Sequence, residues 1–305
     1  MDIFSVTVLG SGAALPTANR NLSGQLVVIA NQYLLIDCGE GTQIQLRKNK
    51  ISIQRIDHVF ISHLHGDHFY GLIGLLSTMH LLGRTKPIHI YAHEGLKKTI
   101  EVQLEVSYSK LSYQLNFHNL KNESGVVLVE NKHFCVESIK LKHSIPCSGF
   151  LIREVEKPRN ILKEAIEKYN IPVKDRAGIK KGEDFQTSAG TVIKNEEITR
   201  DPAKIRSFAY CSDTAYSERI LENIAGVNLL YHEATFMEDK KARAKETYHS
   251  TAAQAAEIAK KAEVAQLLLG HFSARYKKMD LFLNEAKAVF ENVRLAEDGI
   301  EYIIE

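Results

Sequence analysis

Apolar residues recur along the chain in short runs that glycines and polar segments separate. The runs at residues 4–9, 56–61 and 264–269 are too short for typical helices and indicate buried strands. Other stretches space their apolar residues three or four positions apart, as Phe69, Leu72, Ile73 and Leu76 do, which predicts a helix with one buried face. Strands and helices that alternate in this way indicate a layered α/β or α+β protein with helices outside a sheet.

The same pattern predicts the remaining elements. A hairpin is expected across Asn31-Gln32, because two apolar runs flank this pair. A helix is expected after Thr251, which forms a capping box with Gln254. Further strands are predicted at residues 88–91, 126–130, 134–141, 208–211, 227–231, 293–295 and 301–304. Further helices are predicted at residues 41–48, 94–106, 217–224 and 281–290.

Residues 153–206 interrupt this alternation. They begin with a short exposed helix predicted at residues 161–169, which a charged, glycine-punctuated stretch with little apolar periodicity follows. Residues 153–182 contain nine Lys or Arg and five Asp or Glu. The stretch is either a solvated insertion or a protruding arm that holds phosphates away from a reaction centre. Strands on both sides of it end in polar residues at corresponding positions, so the economical architecture is two sheets face to face with helices outside.

Composition adds few limits to this picture. The chain has 305 residues, of which 44% are hydrophobic, so it can bury a substantial core. A net charge of +2 is compatible with an acidic partner but does not require one. The four cysteines form no C-x-x-C pair, and no apolar run approaches twenty residues, so we expect a soluble, cytoplasmic protein. Cys147 is interpreted as a small strand residue.

Three histidines and an aspartate follow the strand at residues 56–61 within six positions. His63 and His65 are two apart in an extended segment and can hold one ion. Gly66 permits a bend, after which Asp67 and His68 face a second position. Imidazole and carboxylate ligands suit zinc or manganese, so the spacing predicts a dinuclear metal site. The alternative is a set of surface histidines on a turn.

Polar residues also end four other predicted strands. His143 completes a three-imidazole set with His63 and His65, and His271 ends the strand at residues 264–269. Asp213 could bridge two cations through its two oxygens. Asp37 either orients a ligating histidine or caps the helix at residues 41–48.

Two further residues are candidates for proton transfer. His249 stands just before the capped helix, where it is either catalytic or a histidine that caps the helix or lies at the edge of the core. Glu233, with His232 beside it, is either a partner of His249 or one of a surface pair.

These motifs carry a family resemblance. The H-x-H-x-D-H spacing at residues 63–68 resembles the metallo-β-lactamase superfamily. The segments at residues 232–235, 248–251 and 270–276 resemble the ribonuclease Z family, the tRNA 3′-processing endonucleases of that superfamily. The resemblance implies a four-layer αββα metallo-β-lactamase fold over residues 1–305. It also implies that residues 153–206 form a flexible, protruding insertion arm that serves as a tRNA-binding exosite.

The resemblance also implies a residue-by-residue site. His63, His65 and His143 would hold one zinc, and Asp67, His68 and His271 the other, with Asp213 bridging the two Zn²⁺ ions. Asp67 would also accept a proton, and His249 with Glu233 would protonate the departing oxygen. Such enzymes are typically homodimers that act on precursor tRNA, and no membrane partner is expected.

Two segments depart from the family pattern. Ala18 occupies the place of a lysine that family members often have in the loop at residues 16–21. A Gly-Pro pair that often begins the arm motif is absent around residues 175–178. These departures affect the expected handling of the tRNA terminus and the interactions of the arm, but not the metal ligands.

The ligand set alone predicts hydrolysis. Two adjacent cations lower the pKa of a shared water and neutralise an electrophile, and a phosphodiester suits this arrangement. Cleavage near the tRNA 3′ end would leave a 3′-hydroxyl on the tRNA and a 5′-phosphate on the trailer. The alternatives are a phosphodiesterase for small molecules such as a cyclic nucleotide, a hydrolase of esters, thioesters or lactams, and an RNA-binding module with an inactive centre. A basic insertion of some fifty residues disfavours the small substrates, and seven filled ligand positions disfavour the inactive module.

Overall fold

The computed structural model describes residues 3–305. The chain divides into two compact units. One is formed by the chain up to Arg153 together with Arg206–Glu305, and the other is Glu154–Ile205. No helix among residues 3–305 is long and apolar enough to cross a membrane.

The strands and helices follow one another along the described chain with short connections. The strands are β1 (Phe4–Gly10), β2 (Gly12–Ala13), β3 (Gly24–Ile29), β4 (Gln32–Ile36), β5 (Ile56–Phe60), β6 (Ile88–Ala92), β7 (Leu115–Asn119), β8 (Val127–Glu130), β9 (Phe134–Lys140), β10 (Ser148–Glu154), β11 (Asn160–Ile161), β12 (Phe185–Gln186), β13 (Val192–Ile193), β14 (Thr199–Arg200), β15 (Ser207–Cys211), β16 (Leu229–Glu233), β17 (Gln266–Gly270), β18 (Phe272–Ser273), β19 (Val293–Leu295) and β20 (Glu301–Ile303). The helices are α1 (Thr42–Lys48), α2 (Gly66–Phe69), α3 (Leu72–Leu81), α4 (Leu96–Val106), α5 (Lys163–Lys168), α6 (Arg176–Lys180), α7 (Asn195–Ile198), α8 (Leu221–Ile224), α9 (Lys241–Glu246), α10 (Ala252–Lys261) and α11 (Asp280–Lys287).

The larger unit contains two seven-stranded sheets. Their strand orders are β20-β1-β3-β4-β5-β6-β7 and β19-β17-β16-β15-β10-β9-β8. Each sheet has a parallel half, formed by β4, β5, β6 and β7 in the first sheet and by β15, β16, β17 and β19 in the second. Parallel strands end at the same edge of a sheet, so the loops that follow them gather along one rim.

Three apolar cores separate four layers. The central core joins the sheets, because it includes Phe60 from the first and Phe150 and Phe208 from the second. A second core lies between the first sheet and helices α1, α3 and α4. A third lies between the second sheet and helices α10 and α11. The order of layers is therefore αββα, which confirms the predicted fold class.

Several local predictions are also confirmed. Strands β3 and β4 form the expected hairpin, but its turn is Ala30-Asn31 and not Asn31-Gln32, because Gln32 already pairs with Ile29 as the first residue of β4. Thr251 caps α10, and both hydrogen bonds of the capping box with Gln254 are present. The helix expected after Gly66 is divided into α2 and α3 at Tyr70-Gly71. A close approach explains this break, because the Gly71 amide donates to the Cys38 carbonyl oxygen at 2.9 Å.

The smaller unit, Glu154–Ile205, has more internal structure than its sequence suggests. It contains α5 to α7 and two short strand pairs, β11 with β14 and β12 with β13. Ala165, Ile171, Ile179, Phe185 and Ile198 form a buried cluster inside it. The apolar residues are far apart in sequence, so no helical or strand periodicity reveals this core.

Candidate metal centre

The expected ligands follow the carboxyl ends of strands in both sheets. His63 and His65 follow β5, whereas His143, Asp213 and His271 follow β9, β15 and β17. Asp67 and His68 belong to the first turn of α2. The structure brings all seven side chains together at one rim of the sandwich.

The first cluster contains His63, His65, His143 and Asp213. His65 Nδ1 lies 3.1 Å from His63 Nε2 and 3.2 Å from His143 Nε2. The Asp213 Oδ2 atom lies 3.6 Å from His63 Nε2 and 3.9 Å from His143 Nε2. Four potential ligand atoms therefore surround one point.

The second cluster contains Asp67, His68 and His271. The Nε2 atoms of His68 and His271 are 3.3 Å apart. The Asp67 Oδ2 atom lies 3.6 Å from His68 Nε2 and 3.5 Å from His271 Nε2. Asp213 contributes its other oxygen here, since Oδ1 lies 3.1 Å from His68 Nε2 and 3.2 Å from His271 Nε2.

These distances fit zinc. A tetrahedral ion with zinc–ligand distances near 2.05 Å separates its ligand atoms by about 3.3 Å, and the nine separations given above range from 3.1 to 3.9 Å. Asp213 is only 2% exposed and directs one oxygen at each cluster. A buried carboxylate that is shared between two sets of imidazoles is suited to bridge two cations.

The second ring nitrogen of each well-buried histidine also has a partner. His63 Nδ1 lies 3.0 Å from Ser62 Oγ, and His271 Nδ1 lies 2.9 Å from Thr235 Oγ1. His143 Nδ1 is 3.2 Å from the Tyr248 carbonyl oxygen. Such partners fix the ring orientation and the tautomer, so that Nε2 is free to bind a metal.

Asp37 serves His68 in the same way. Its Oδ2 atom lies 2.7 Å from His68 Nδ1 and accepts hydrogen bonds from Ser62 Oγ and Tyr210 Oη at 2.9 and 2.7 Å. Its Oδ1 atom accepts from the Ser62 amide at 2.8 Å. Helix α1 begins after Gly41 without a side-chain cap, so the alternative that Asp37 caps this helix is wrong.

The charges of the cluster depend on one another. Burial alone would disfavour ionisation of Asp213, but His271 and His68 hold the pKa of its carboxyl well below the usual range. Burial also opposes a charge on His68, yet Asp213 and Asp37 raise its pKa well above the usual value. The carboxylates thus favour the protonated form of the His68 ring. A metal ion that bound here would compete with that proton, so metal affinity should depend on pH.

His249 and Glu233 form a contact pair beside the clusters. His249 Nδ1 lies 2.9 Å from Glu233 Oε1. Burial opposes protonation of His249, but the carboxylate of Glu233 raises the pKa of its ring to about 9. Glu233 is fully buried and also accepts from Thr235 Oγ1 at 2.6 Å and from the Ser250 amide at 3.1 Å.

The surface-pair alternative for Glu233 and His232 is therefore wrong, because both side chains are buried. His232 directs Nδ1 at the carbonyl oxygen of Glu233, at 2.8 Å, and takes no part in either cluster. Cys147 also lies outside both clusters and directs its thiol at the Ser212 carbonyl oxygen, at 3.7 Å.

Three of the central side chains stand on left-handed backbone. Asp37, Asp213 and His271 have φ angles of 57°, 52° and 58°. Residues other than glycine adopt such angles rarely, although aspartate and histidine do so more often than most. Each of these residues follows a strand, and the turn directs its side chain back over the end of the sheet.

Several supporting residues were not predicted from the sequence. Thr235 links Glu233 to His271, and Tyr210 reaches Asp37 from the second sheet. Asp298 accepts hydrogen bonds from the amides of Ser11 and Asn21 and so fixes both ends of the loop between them. Within this loop, the Ala14 amide donates to Asp67 Oδ2 at 2.8 Å. Only Thr235 lies in a motif segment that could have indicated it.

Two family models match the chain. The model described as Anti-Pycsar protein Apyc1 matches residues 4–158. The model described as Beta-lactamase superfamily domain matches residues 170–272.

Relatives and solved structures match nearly the whole chain. Ribonuclease Z of Bacteroides thetaiotaomicron is 45% identical over 300 residues, which cover 98% of this chain and 95% of that protein. Ribonuclease Z of Porphyromonas gingivalis is 45% identical over 291 residues and covers 95% and 96% of the two chains. The structure of human tRNase Z, short form, matches with a TM-score of 0.72 at 28% identity and covers 99% of both chains. The metallo-beta-lactamase fold protein YhfI from Bacillus subtilis, 22% identical with a TM-score of 0.70, shares the fold over 99% of this chain and 100% of its own. From these matches along its whole length, the chain belongs to the ribonuclease Z family.

Proposed function

We propose that this protein is a zinc-dependent endoribonuclease that removes the 3′ trailer from precursor tRNA. The products would be a 3′-hydroxyl on the tRNA and a 5′-phosphate on the trailer. The relatives that match over 95% or more of the chain and carry the name Ribonuclease Z support the substrate. The observation that carries the chemistry is the division of seven ligand side chains into two clusters that share Asp213.

The proposed metal ligands are the seven residues that the family resemblance implies. Two Zn²⁺ ions, or Mn²⁺ or another divalent ion in their place, would lower the pKa of a water and neutralise the charge of the phosphodiester. His63, His65 and His143 would hold the first ion, and Asp67, His68 and His271 the second, with Asp213 between them. Asp67 would also accept the proton of the attacking water, since its carboxylate is the more exposed of the two in the clusters, at 13% against 4% for Asp213.

His249 is the proposed proton donor to the departing 3′-oxygen. The Glu233 carboxylate holds this ring at Nδ1, and the ring lies 5.5 Å from that of His271 and 5.4 Å from that of His143, centroid to centroid. An acid at this position stands beside both clusters. General acid catalysis of this kind contributes about 10²–10⁴ in rate.

Residues 153–206 are the proposed tRNA-binding arm. Lys174, Lys180 and Lys181 are exposed on Glu154–Ile205, and no carboxylate of the described chain pairs with them. Exposed cations of this kind bind phosphates through long-range attraction, so tRNA affinity should fall steeply with salt. We further propose a cytoplasmic homodimer, for which light scattering of the purified protein is the first measurement.

The proposed metal centre is tested by substitution of His63 or Asp67 with alanine. Each change should abolish cleavage of a 3′-extended tRNA by zinc-loaded protein, whereas tRNA binding stays measurable. His133→Ala is a matched control, because His133 is an exposed histidine outside both clusters. Turnover that survives in His63→Ala or Asp67→Ala would overturn the assignment.

The rival small-molecule phosphodiesterase is tested by removal of the arm. Arg153 and Ser207 are antiparallel partners in β10 and β15, so a short turn can join the two strands in place of residues 154–206. The shortened protein should bind tRNA poorly but still hydrolyse a small chromogenic diester. Equal loss of both activities would contradict the role of the arm, and unmodified protein that hydrolyses only the small diester would favour the rival.

A further inference from the structure

A basic pocket opens beside the first ligand cluster. It is a cavity of about 460 Å³, and its lining includes the ligand His143 and three cationic side chains, Lys140, Lys142 and Arg219. Asn122, Ser144 and Ser217 add neutral polar groups, and no carboxylate lines the cavity. The pocket therefore offers cations and hydrogen-bonding groups without an acid to balance them.

The three cations have no acidic partner. Within residues 3–305, no carboxylate forms an ion pair with Lys140, Lys142 or Arg219. Glu218, the neighbour of Arg219 in sequence, is already occupied, because it accepts from Lys261 Nζ at 2.7 Å and from Tyr216 Oη at 2.8 Å. Three unpaired cations around one cavity repel one another unless an anion joins them.

The backbone of Lys142, one of the three cationic residues of the pocket, is fixed to the candidate metal centre. The Lys142 amide donates to Thr214 Oγ1 at 3.1 Å, and the Lys142 carbonyl oxygen accepts from the Ala215 amide at 2.8 Å. Thr214 and Ala215 directly follow the bridging Asp213. An anion in the pocket would therefore be held at a constant distance from the reaction centre, which is a condition for positioning a substrate.

A second cavity extends the pocket. It has about 380 Å³ and shares Asn122, Ile145 and Pro146 with the first. Its lining also includes His93 and Leu64, the residue between the ligands His63 and His65. The two cavities together form a groove that has cations at one end and, at the other, apolar side chains, the imidazole of His93 and one carboxylate, that of Glu94.

We infer that the basic pocket binds a backbone phosphate of the RNA strand next to the scissile phosphodiester, and that the second cavity receives a neighbouring nucleobase. Grooves for single-stranded nucleic acid combine these two features, since cations follow the phosphates and flat or apolar groups pack against the bases. This inference rests on the proposed function and adds a substrate subsite to it. Lys140, Lys142 and Arg219 are positioning residues in this role, because they touch a phosphate that does not react.

The test measures cleavage kinetics of a 3′-extended tRNA at several salt concentrations. The variants are Lys140→Ala, Lys142→Ala, Arg219→Ala and the triple substitution. Each single change should raise KM about fivefold, the upper range for an exposed ion pair, while kcat stays within about twofold. The slope of log KM against log salt should decrease by about 0.7 for each phosphate of a single strand that the variant no longer neutralises. Lys142→Arg should recover most of the affinity that Lys142→Ala removes.

Lys287→Ala is the matched control. Lys287 is exposed and is the last residue of α11. This helix begins after β18 at the ligand-bearing rim and leads to the start of β19, which lies at the opposite end of the sheet because β19 is parallel to β17. This change removes one charge at a distance from the groove and should alter neither KM nor the salt dependence. Melting temperatures of all variants verify that they fold.

The outcomes separate the two proposals. Unmodified protein that fails to cleave 3′-extended tRNA would overturn the proposed function itself. Efficient cleavage by unmodified protein, combined with an unchanged KM and salt dependence in the folded triple variant, would overturn the basic pocket alone. A loss of kcat without a change in KM would also contradict a binding role.

Discussion

The Asp37→Asn substitution removes a carboxylate that orients His68 and leaves every candidate ligand of the second cluster in place. Asp37 is not one of the candidate metal ligands, but its Oδ2 atom lies 2.7 Å from Nδ1 of the ligand His68. A carboxylate can only accept here, so His68 must carry its proton on Nδ1 when the ring is neutral, and Nε2 is left bare toward His271 and Asp213. The amide of asparagine can instead donate to Nδ1. The proton then moves to Nε2, where it blocks metal binding.

The substitution should weaken metal binding at the second cluster much more than it destabilises the fold. Partners of ligating histidines contribute about 10- to 100-fold in metal affinity, or about 1.4–2.7 kcal/mol. The hydroxyls of Ser62 and Tyr210 can rotate to accept from the new amide, so the metal-free protein should lose only about 1–2 kcal/mol of unfolding free energy. Asparagine also tolerates the φ of 57° at this position.

The assay is competition for zinc against a chromophoric chelator, combined with urea unfolding of the metal-free protein. Of the two proposed zinc ions, one should bind 10- to 100-fold more weakly, and the affinity for the other should change little. Asp57→Asn is the control, because Asp57 pairs with Arg84 Nη2 at 2.8 Å and belongs to neither cluster. If both zinc affinities of Asp37→Asn stay within threefold of the unmodified values, the tautomer argument is refuted.

Three further predictions concern stability. Burial and the neighbouring His89 lower the pKa of His58 to about 4. The unfolded chain therefore takes up a proton on His58 below pH 6.5, whereas the folded protein does so only near pH 4. Stability should thus fall across this window by at most about 3 kcal/mol from this group, and His58→Gln should flatten the pH dependence in urea unfolding. Thr251→Ala removes the capping box of α10 and should cost about 0.5–2 kcal/mol. Thr247→Ala, which removes a bond to the Arg243 carbonyl oxygen on an exposed surface, should cost less, and equal losses would contradict the capping argument. Phe185→Ala empties the core of Glu154–Ile205 and should destabilise that unit by about 3–5 kcal/mol. Hydrogen exchange should accelerate there and not in the two large sheets, and Val173→Ala, at a side chain that is 76% exposed, should have no such effect.

The ends of strands were the informative parts of the sequence. The ligands outside α2 come after predicted strands, which are largely apolar in β5, β15 and β17 and alternate between apolar and polar residues in β9. Both patterns predict where a strand stops even when its neighbours in the sheet are unknown. The hairpin of β3 and β4 and the cap of α10 were predictable for a similar reason, because turn and cap chemistry depends on adjacent residues. Local chemistry thus revealed which residues stand at the rim.

Partners that are distant in sequence left no comparable signal. Strand β7 reads Leu-Asn-Phe-His-Asn, with only two apolar residues, and forms because β6 provides a parallel partner. The choice between the two roles of Asp37 depends on Ser62 and Tyr210, which are 25 and 173 residues away. Asp298, which fixes the loop near Asp67, is 277 residues away in sequence from its hydrogen-bond partner Asn21. Only the folded chain reveals such partners.

The left-handed turns at Asp37, Asp213 and His271 affect how mutagenesis of this protein should be interpreted. Alanine is poorly suited to that backbone conformation, at a cost of about 1–2 kcal/mol, so an alanine scan at these three positions would mix conformational strain with lost chemistry. Asparagine accommodates the same turn and is the cleaner probe at all three. His63 and Asp67 have no such backbone, so alanine there reports on the side chain alone.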